Sequence, residues 1–304
     1  GLDNVSSTGD LQSATLVMYS MTVPSSSSPD QPLTIGIDGV GLTIATGRVA
    51  VATLTPADTT TDTREFVSVR AEDLSSSFMG MSTLTGVISG VGISLNRGQD
   101  ANGTIPALDW STALDMDGDS VFGEPDSDIA DPGASMTPAT SLPMNEVSTS
   151  FRLTGSITDL NILDLVTGSA DFALSIEQVN VDVDGDGLEA ADNDMQSARM
   201  MSLALEVPST LTPQQTIAVG INGTGVSVTS GRLGVTTISA SDSAADDRRY
   251  IAVRAEELSA SLTGLPELSA TISGVSIELN QGRQAGGTIP ALDWTTAIDS
   301  DRDG

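Results

Sequence analysis

The sequence predicts an all-β chain: a tandem, elongated array of antiparallel β modules, arranged as a β-solenoid-like stack or as β-sandwiches, with acidic loops. Three observations carry this. Apolar residues alternate with polar ones in short runs punctuated by glycine, the period of strands with one buried face. Lysine is absent and serine and threonine are frequent, a composition that favours strands and turns over helices. Finally, a long stretch returns at a fixed spacing. Trp110 and Trp294, the only tryptophans, lie 184 positions apart, each closing the phrase Ile-Pro-Ala-Leu-Asp-Trp.

Taken in order, residues 1–119 form the first copy of the repeat, with an aligned core over 12–119. Leu33, Ile35 and Ile37, then Val40, Leu42 and Ile44, then Val49 and Val51 mark its first strands. Phe66, Val67 and Val69 mark another, matched by Tyr250, Ile251 and Val253, and Val91, Ile93 and Leu95 a further one. Gly47-Arg48 returns as Gly231-Arg232, and Val69-Arg70-Ala71-Glu72 as Val253-Arg254-Ala255-Glu256. The segments 25–32, 57–63 and 241–247 read as loops. Residues 106–114 fit either a short helix opened by Pro106 or a strand, with Trp110 a buried plug beside the following loop. Residues 120–146, rich in proline and aspartate, read as a connector with little regular structure. Residues 147–195 return to strands through Phe151, Leu153, Ile157, Phe172, Leu174, Ile176, Val179 and Val181, and end in an acidic loop. Residues 196–304 are the second copy, truncated within its own acidic loop. A repeat this long exceeds one solenoid coil, so each copy is a domain or a group of coils.

The formal net charge is −29, and the chain has no histidine and no cysteine. Such a surface repels nucleic acid and anionic lipid, so neither is an expected partner. Disulfides, thiolate metal sites and the usual zinc, copper and haem ligand sets are excluded, and so are the common nucleophilic triads. Hard, oxygen-seeking cations are left. No run of roughly 18–20 apolar residues is present, so no membrane insertion is expected. The ends at Gly1 and Gly304 read as those of a window on a longer repetitive protein. A purely solvating role for the carboxylates, as in proteins kept soluble in brine, is a competing reading of the charge, but it does not account for aspartates at alternate positions in short loops.

Those loops are the candidate sites. Asp115, Asp117 and Asp119 occupy positions 1, 3 and 5 of a calcium-loop pattern, with Asp126 at position 12 and the Val121 carbonyl at position 7. Alternation suits a cation because a tight loop turns every second side chain toward one point. Position 6 is Ser120 where the pattern has glycine. In the second loop Asp182, Asp184 and Asp186 are followed by Gly187, and Asn193 at position 12 is flanked by Asp192 and Asp194. The third loop holds Asp299, Asp301, Asp303 and Gly304. Over about a dozen residues each, these loops resemble the DxDxDG calcium loops of dockerins and thrombospondin type 3 repeats. Together with the Ile-Ser-Gly-Val-x-Ile-x-Leu-Asn strands at 88–96 and 272–280, the chain resembles repeat regions of giant bacterial cell-surface proteins, adhesin-like or fibre-forming. That resemblance implies an extracellular, non-enzymatic structural module rigidified by calcium, with neighbouring copies of the same repeat as partners. A self-assembling filament subunit that does not need calcium, and an adhesin module taking a surface glycan, are the alternatives.

Overall fold

The computed structural model describes residues 11, 13–24, 31–37, 40–80, 84–125, 127–137, 139–185, 194–221, 223–241, 245–265 and 267–299, with backbone alone for 35–37, 40–42, 84 and 299. Among these the chain is all-β, with strands and no helix. It divides into two compact units, residues 1–79 with 89–153, and residues 80–88 with 154–304.

The first unit holds β1 (Ala14–Val23), β2 (Leu33–Ile37), β3 (Val40–Pro56), β4 (Glu65–Met79), most of β5 (Leu84–Asp100), β6 (Gly103–Ile105) and the first residues of β7 (Ser150–Ile162). The second unit holds the rest of β5 and β7, then β8 (Val166–Val181), β9 (Met195–Val207), β10 (Ile217–Ile221), β11 (Thr224–Ser239), β12 (Arg249–Thr263), β13 (Thr271–Gln284), β14 (Gly287–Ile289) and β15 (Ile298–Asp299). The described ladders are antiparallel. Strand β3 is long enough to take two partners in succession, β2 against Val40–Ile44 and β1 against Gly47–Pro56. In the second unit β11 takes β10 and β9 in the same way.

The duplication extends to irregularities. The β3–β4 ladder shifts register between Ile44 and Arg48, and the β11–β12 ladder between Val228 and Arg232. At that bulge Gly47 and Gly231 have φ of 148° and 151°, and a Cβ on either would lie 2.3 or 2.5 Å from the Cδ2 of Leu74 or Leu258. Only glycine fits there, which is why Gly-Arg recurs. Across the first bulge Arg48 pairs with Glu72 at 2.9 Å and Asp73 at 2.8 Å.

The first core is a sheet face covered by coil. Period-two alternation places Ala50, Ala52 and Leu54 of β3 and Phe66 of β4 in one buried cluster with Leu108, Trp110, Leu114, Ala130, Leu142 and Met144. The small alanines leave room for the indole, whose burial removes roughly 200 Å² from water and is worth on the order of 5 kcal/mol. Residues 106–114 are neither helix nor strand. A single turn closes through Ala113 N–H donating to the Asp109 carbonyl at 3.0 Å, and the Asp109 carboxylate accepts Ser111 N–H at 2.9 Å. The indole Nε1 donates to Asn96 Oδ1 at 3.0 Å, and Asn96 Nδ2 donates to the Leu108 carbonyl at 2.8 Å. This side-chain clamp overrides both regular options. It recurs with Trp294, Asn280 and Leu292 at 2.9 and 2.8 Å. Among its described residues the connector holds no strand, yet it is packed. Met144 N–H donates to the Ala130 carbonyl at 2.8 Å, and Leu142 N–H to Asp131 Oδ1 at 2.9 Å. The second core gathers Val179, Val181, Met195, Ala198, Ile238, Tyr250, Leu292 and Ala297.

Candidate metal centres

The first acidic loop begins where the Trp110 turn ends. Gly123 N–H donates to the Leu114 carbonyl at 2.9 Å, closing the loop at its base. Asp115 turns inward and accepts Gly118 N–H at 2.7 Å and Ser120 N–H at 3.1 Å on its two oxygens. Gly118 takes φ 80°, and Ser120 takes φ 73°, so serine adopts the left-handed conformation that the loop pattern assigns to glycine. Asp117 and Asp119 each accept the N–H two residues on, from Asp119 at 3.2 Å and Val121 at 2.8 Å. These local bonds curl the loop and bring the alternating carboxylates to one side.

Carboxylate oxygens of Asp115, Asp117 and Asp128 lie within 4.8 Å of one another, as do those of Asp117, Asp119 and Glu124. The expected closing ligand, Asp126, lies outside the described residues. Asp128 and Glu124 were not singled out from the sequence. Asp128 is buried, and its carboxylate accepts Met116 N–H at 2.8 Å and Glu124 N–H at 3.1 Å. Burial pushes its carboxyl up, but backbone N–H groups of Met116, Glu124, Asp117 and Gly123 together hold it below the ordinary carboxylate value.

The second loop hangs between β8 and β9, with Asp182 N–H donating to the Ala297 carbonyl at 2.9 Å. Asp182, Asp184 and Asp194 bring oxygens within 4.8 Å. Gly185 has φ 75° and donates to Asp182 Oδ1 at 2.6 Å, as Gly118 does to Asp115. Val183 N–H donates to Asp194 Oδ1 at 2.9 Å, the counterpart of Met116 and Asp128. Each closing aspartate is therefore fixed by the N–H that follows the first aspartate of its loop. The sequence signal was present but offset: the closing residue stands one or two places beyond position 12. Among the described residues Asp194 Oδ2 is buried without a hydrogen-bond partner, a costly state for an anionic oxygen that the nearby Arg248 charge offsets in part. Asp186, Asp192, Asp301 and Asp303 lie outside the described residues. Of Asp299 only the backbone is described, and it pairs with Asn180.

Each three-carboxylate group supplies hard oxygens without nitrogen or sulfur and could hold a metal ion, a hard cation in preference to a soft one. Another carboxylate, outside these loops, is tied into the fold. Asp171 of β8 accepts Ser156 Oγ at 2.5 Å, Ser209 Oγ at 2.6 Å, and Thr210 N–H and Oγ1 at 2.9 and 2.7 Å. Burial raises its carboxyl, but these four donors lower it further, to about 2.

No protein-family model, curated protein or solved structure matches the chain.

Proposed function

We propose that the chain is a structural, extracellular repeat module whose acidic loops take calcium, with no catalytic role. The observation that carries this reading is the same closing geometry built twice from different sequence: Asp115, Asp117 and Asp128 in one loop, and Asp182, Asp184 and Asp194 in the other, with the Asp194 Oδ2 orphaned among the described residues. Bound calcium would supply positive charge that offsets the mutual repulsion of three carboxylates. The chain's own residues do the rest. Asp128 and Asp194 tie the far end of each loop to its start, so filling a site cross-links residues 115–128 or 182–194 onto the adjoining strands. At ten times the dissociation constant each site adds roughly 1.4 kcal/mol to the folded state. Extracellular modules with affinities near 10⁻⁴ to 10⁻³ M would be filled outside cells and not inside them.

The test is calcium titration by calorimetry after chelator dialysis, alongside thermal melting. Saturable binding is expected, with a melting temperature that rises more in calcium than in sodium chloride of equal ionic strength. Equal effects of the two salts would support plain charge screening, as in a brine-adapted surface, and would remove the calcium reading.

One observation favours self-assembly as a second reading. Strand β1 pairs only with β3 among the described residues, and Val17, Met18, Tyr19 and Met21 on it are exposed. An open, apolar edge is a template for another strand. Calcium-free filaments in negative-stain electron micrographs would support this reading, and a monodisperse monomer would dismiss it.

A further inference from the structure

One row of side chains crosses the second unit from strand to strand. Gln178 of β8 lies opposite Arg199 of β9, Arg199 opposite Ser239 of β11, and Ser239 opposite Arg249 of β12. Arg249 in turn lies opposite Arg283 of β13, and Arg283 opposite Thr288 of β14. Residues directly opposite share a sheet face. Their chain neighbours Ala198, Ile238 and Tyr250 are buried in the second core, so strand alternation puts the row on the other face. Arg199, Arg249 and Arg283 are exposed there. A depression of about 290 Å³ lies at Arg249 and Arg283, lined also by Asp247, Gln284 and Ala285.

The first copy carries the same row without the positive charge. Thr15, Thr55, Glu65, Gln99 and Thr104 occupy the matching positions, and Gln99 Nε2 donates to Glu65 Oε2 at 2.6 Å. Three of the chain's 12 basic residues thus fall at one level of the second copy, in a chain of net charge −29. Arg249 and Arg283 face each other directly, an arrangement that destabilises a sheet. The described fold does not neutralise them. Arg48, Arg64, Arg70, Arg232, Arg248 and Arg254 each pair with a carboxylate. Among the described residues Arg199 and Arg249 have no such partner, and Arg283 donates to the neutral Gln281 Oε1 at 2.9 Å. Asp247, beside them in the depression, accepts Ala285 N–H at 2.7 Å. The exposure of this face is independent of the coil that covers the first core. That coil packs against Ala50, Ala52 and Leu54 on the opposite face, and Arg97, two residues before Gln99 on this face, is exposed in the first copy too.

We propose that this row is a docking surface for an acidic polysaccharide, whose carboxylate or sulfate groups are taken by Arg199, Arg249 and Arg283. Charge complementarity selects an anion, and the guanidinium fork bonds such groups through two parallel N–H donors. An anion between Arg249 and Arg283 also relieves their mutual repulsion. Geometry selects a polysaccharide over an acidic peptide. The row runs across the strands, so its positions step by about 4.8 Å from one strand to the next, with arginines on β9, β12 and β13 of the consecutive strands β9, β11, β12 and β13. An extended pyranose chain advances by a similar step per sugar, whereas an extended peptide presents side chains on one face only every ~6.6 Å. Ser239, between Arg199 and Arg249, and Thr288, beyond Arg283, add hydroxyls suited to sugar hydroxyls. The inference goes beyond the structural role and stands without calcium.

The experiment titrates dextran sulfate, polygalacturonate, neutral dextran and polyglutamate into the intact 304-residue chain by calorimetry, in chelator so that no cation bridges carboxylates. At least one of the two acidic polysaccharides is expected to bind, which identifies the anionic group, and neutral dextran is not. Two triple variants that lose the same charge locate the site. Arg199→Thr with Arg249→Gln and Arg283→Gln is expected to weaken binding about tenfold or more. Arg97→Gln with Arg232→Gln and Arg254→Gln, at exposed arginines outside the row, is expected to leave it within about twofold. No binding of either acidic polysaccharide at about 1 mM charged groups, equal binding of neutral dextran, tighter binding of polyglutamate, or equal losses in the two variants each overturns the inference.

Discussion

Replacing the two closing aspartates by asparagine separates a carboxylate with one oxygen lacking a hydrogen-bond partner among the described residues from one with both oxygens bonded, and the expected signs in chelator differ. At the 4.8 Å that bounds the oxygen separations in the second loop, each pair of carboxylates repels by about 1 kcal/mol in water. Asp194→Asn removes two such pairs, those with Asp182 and Asp184. In exchange it loses the attraction between the Asp194 carboxylate and the nearby Arg248 guanidinium, on the order of one such pair. Asparagine Oδ1 still accepts Val183 N–H, and the amide occupies the place of Asp194 Oδ2, which lacks a partner among the described residues. In chelator and low salt the variant is therefore expected to be more stable than the native chain by about 1 kcal/mol at most, two lost repulsions less one lost attraction, reduced as salt approaches the ~10 Å screening regime. A kilocalorie corresponds to roughly 2–4 °C in a large domain. With calcium the order reverses, because the native chain gains roughly 1.4 kcal/mol at tenfold saturation and the variant does not. Asp128→Asn behaves differently. Its carboxylate accepts two N–H groups on separate oxygens, so the amide leaves one buried donor facing another and costs about 1–3 kcal/mol already in chelator, and more in calcium because Asp128 is also one of the first loop's three carboxylates. Melting followed by circular dichroism, in chelator and in calcium, reads all three proteins. An Asp194→Asn curve lying below the native one by the same margin in both conditions would refute the reasoning.

Two further outcomes follow from the geometry. Asp171 has a carboxyl lowered from 3.8 to about 2 by its serine and threonine donors; the stability it contributes is full above pH 3.8 and lost as pH falls through about 2. Integrated, that is about 1–2 kcal/mol for this partly exposed group, so acid titration of Asp171→Asn should show a shallower loss of stability below pH 4 than the native chain. Asn96→Ala removes the partner of a fully buried indole N–H and of the Leu108 carbonyl, and is expected to cost more than 2 kcal/mol in denaturant unfolding, whereas Asn280→Ala, beside the half-exposed Trp294, costs less because water reaches the groups it frees.

The amino-acid order alone determined the strand class and the duplication, because both rest on local period and on direct repetition of letters: Val69 to Glu72 needs no partner to be recognised at Val253 to Glu256. It also located the aspartate ladders, since alternation within six residues is a local property. What only the tertiary structure decided is where each ladder closes. Asp128 and Asp194 join their loops through an N–H supplied by Met116 or Val183, and the chain between is one residue longer in the first loop without altering that bond, so counting to position 12 misses the joining residue. The turn at residues 106–114 was equally beyond local reading. Helix and strand periodicities both fit it, and the choice fell to Asn96, fourteen residues away, whose amide holds Trp110 and Leu108 at once. The connector gave a similar lesson. Its prolines forbid regular structure, but Leu142 and Met144 still bury against alanines that sequence alone could not place beneath them. Spacing along the chain fixes what a few neighbours do together; contacts across long separations depend on which groups the fold happens to leave without a partner.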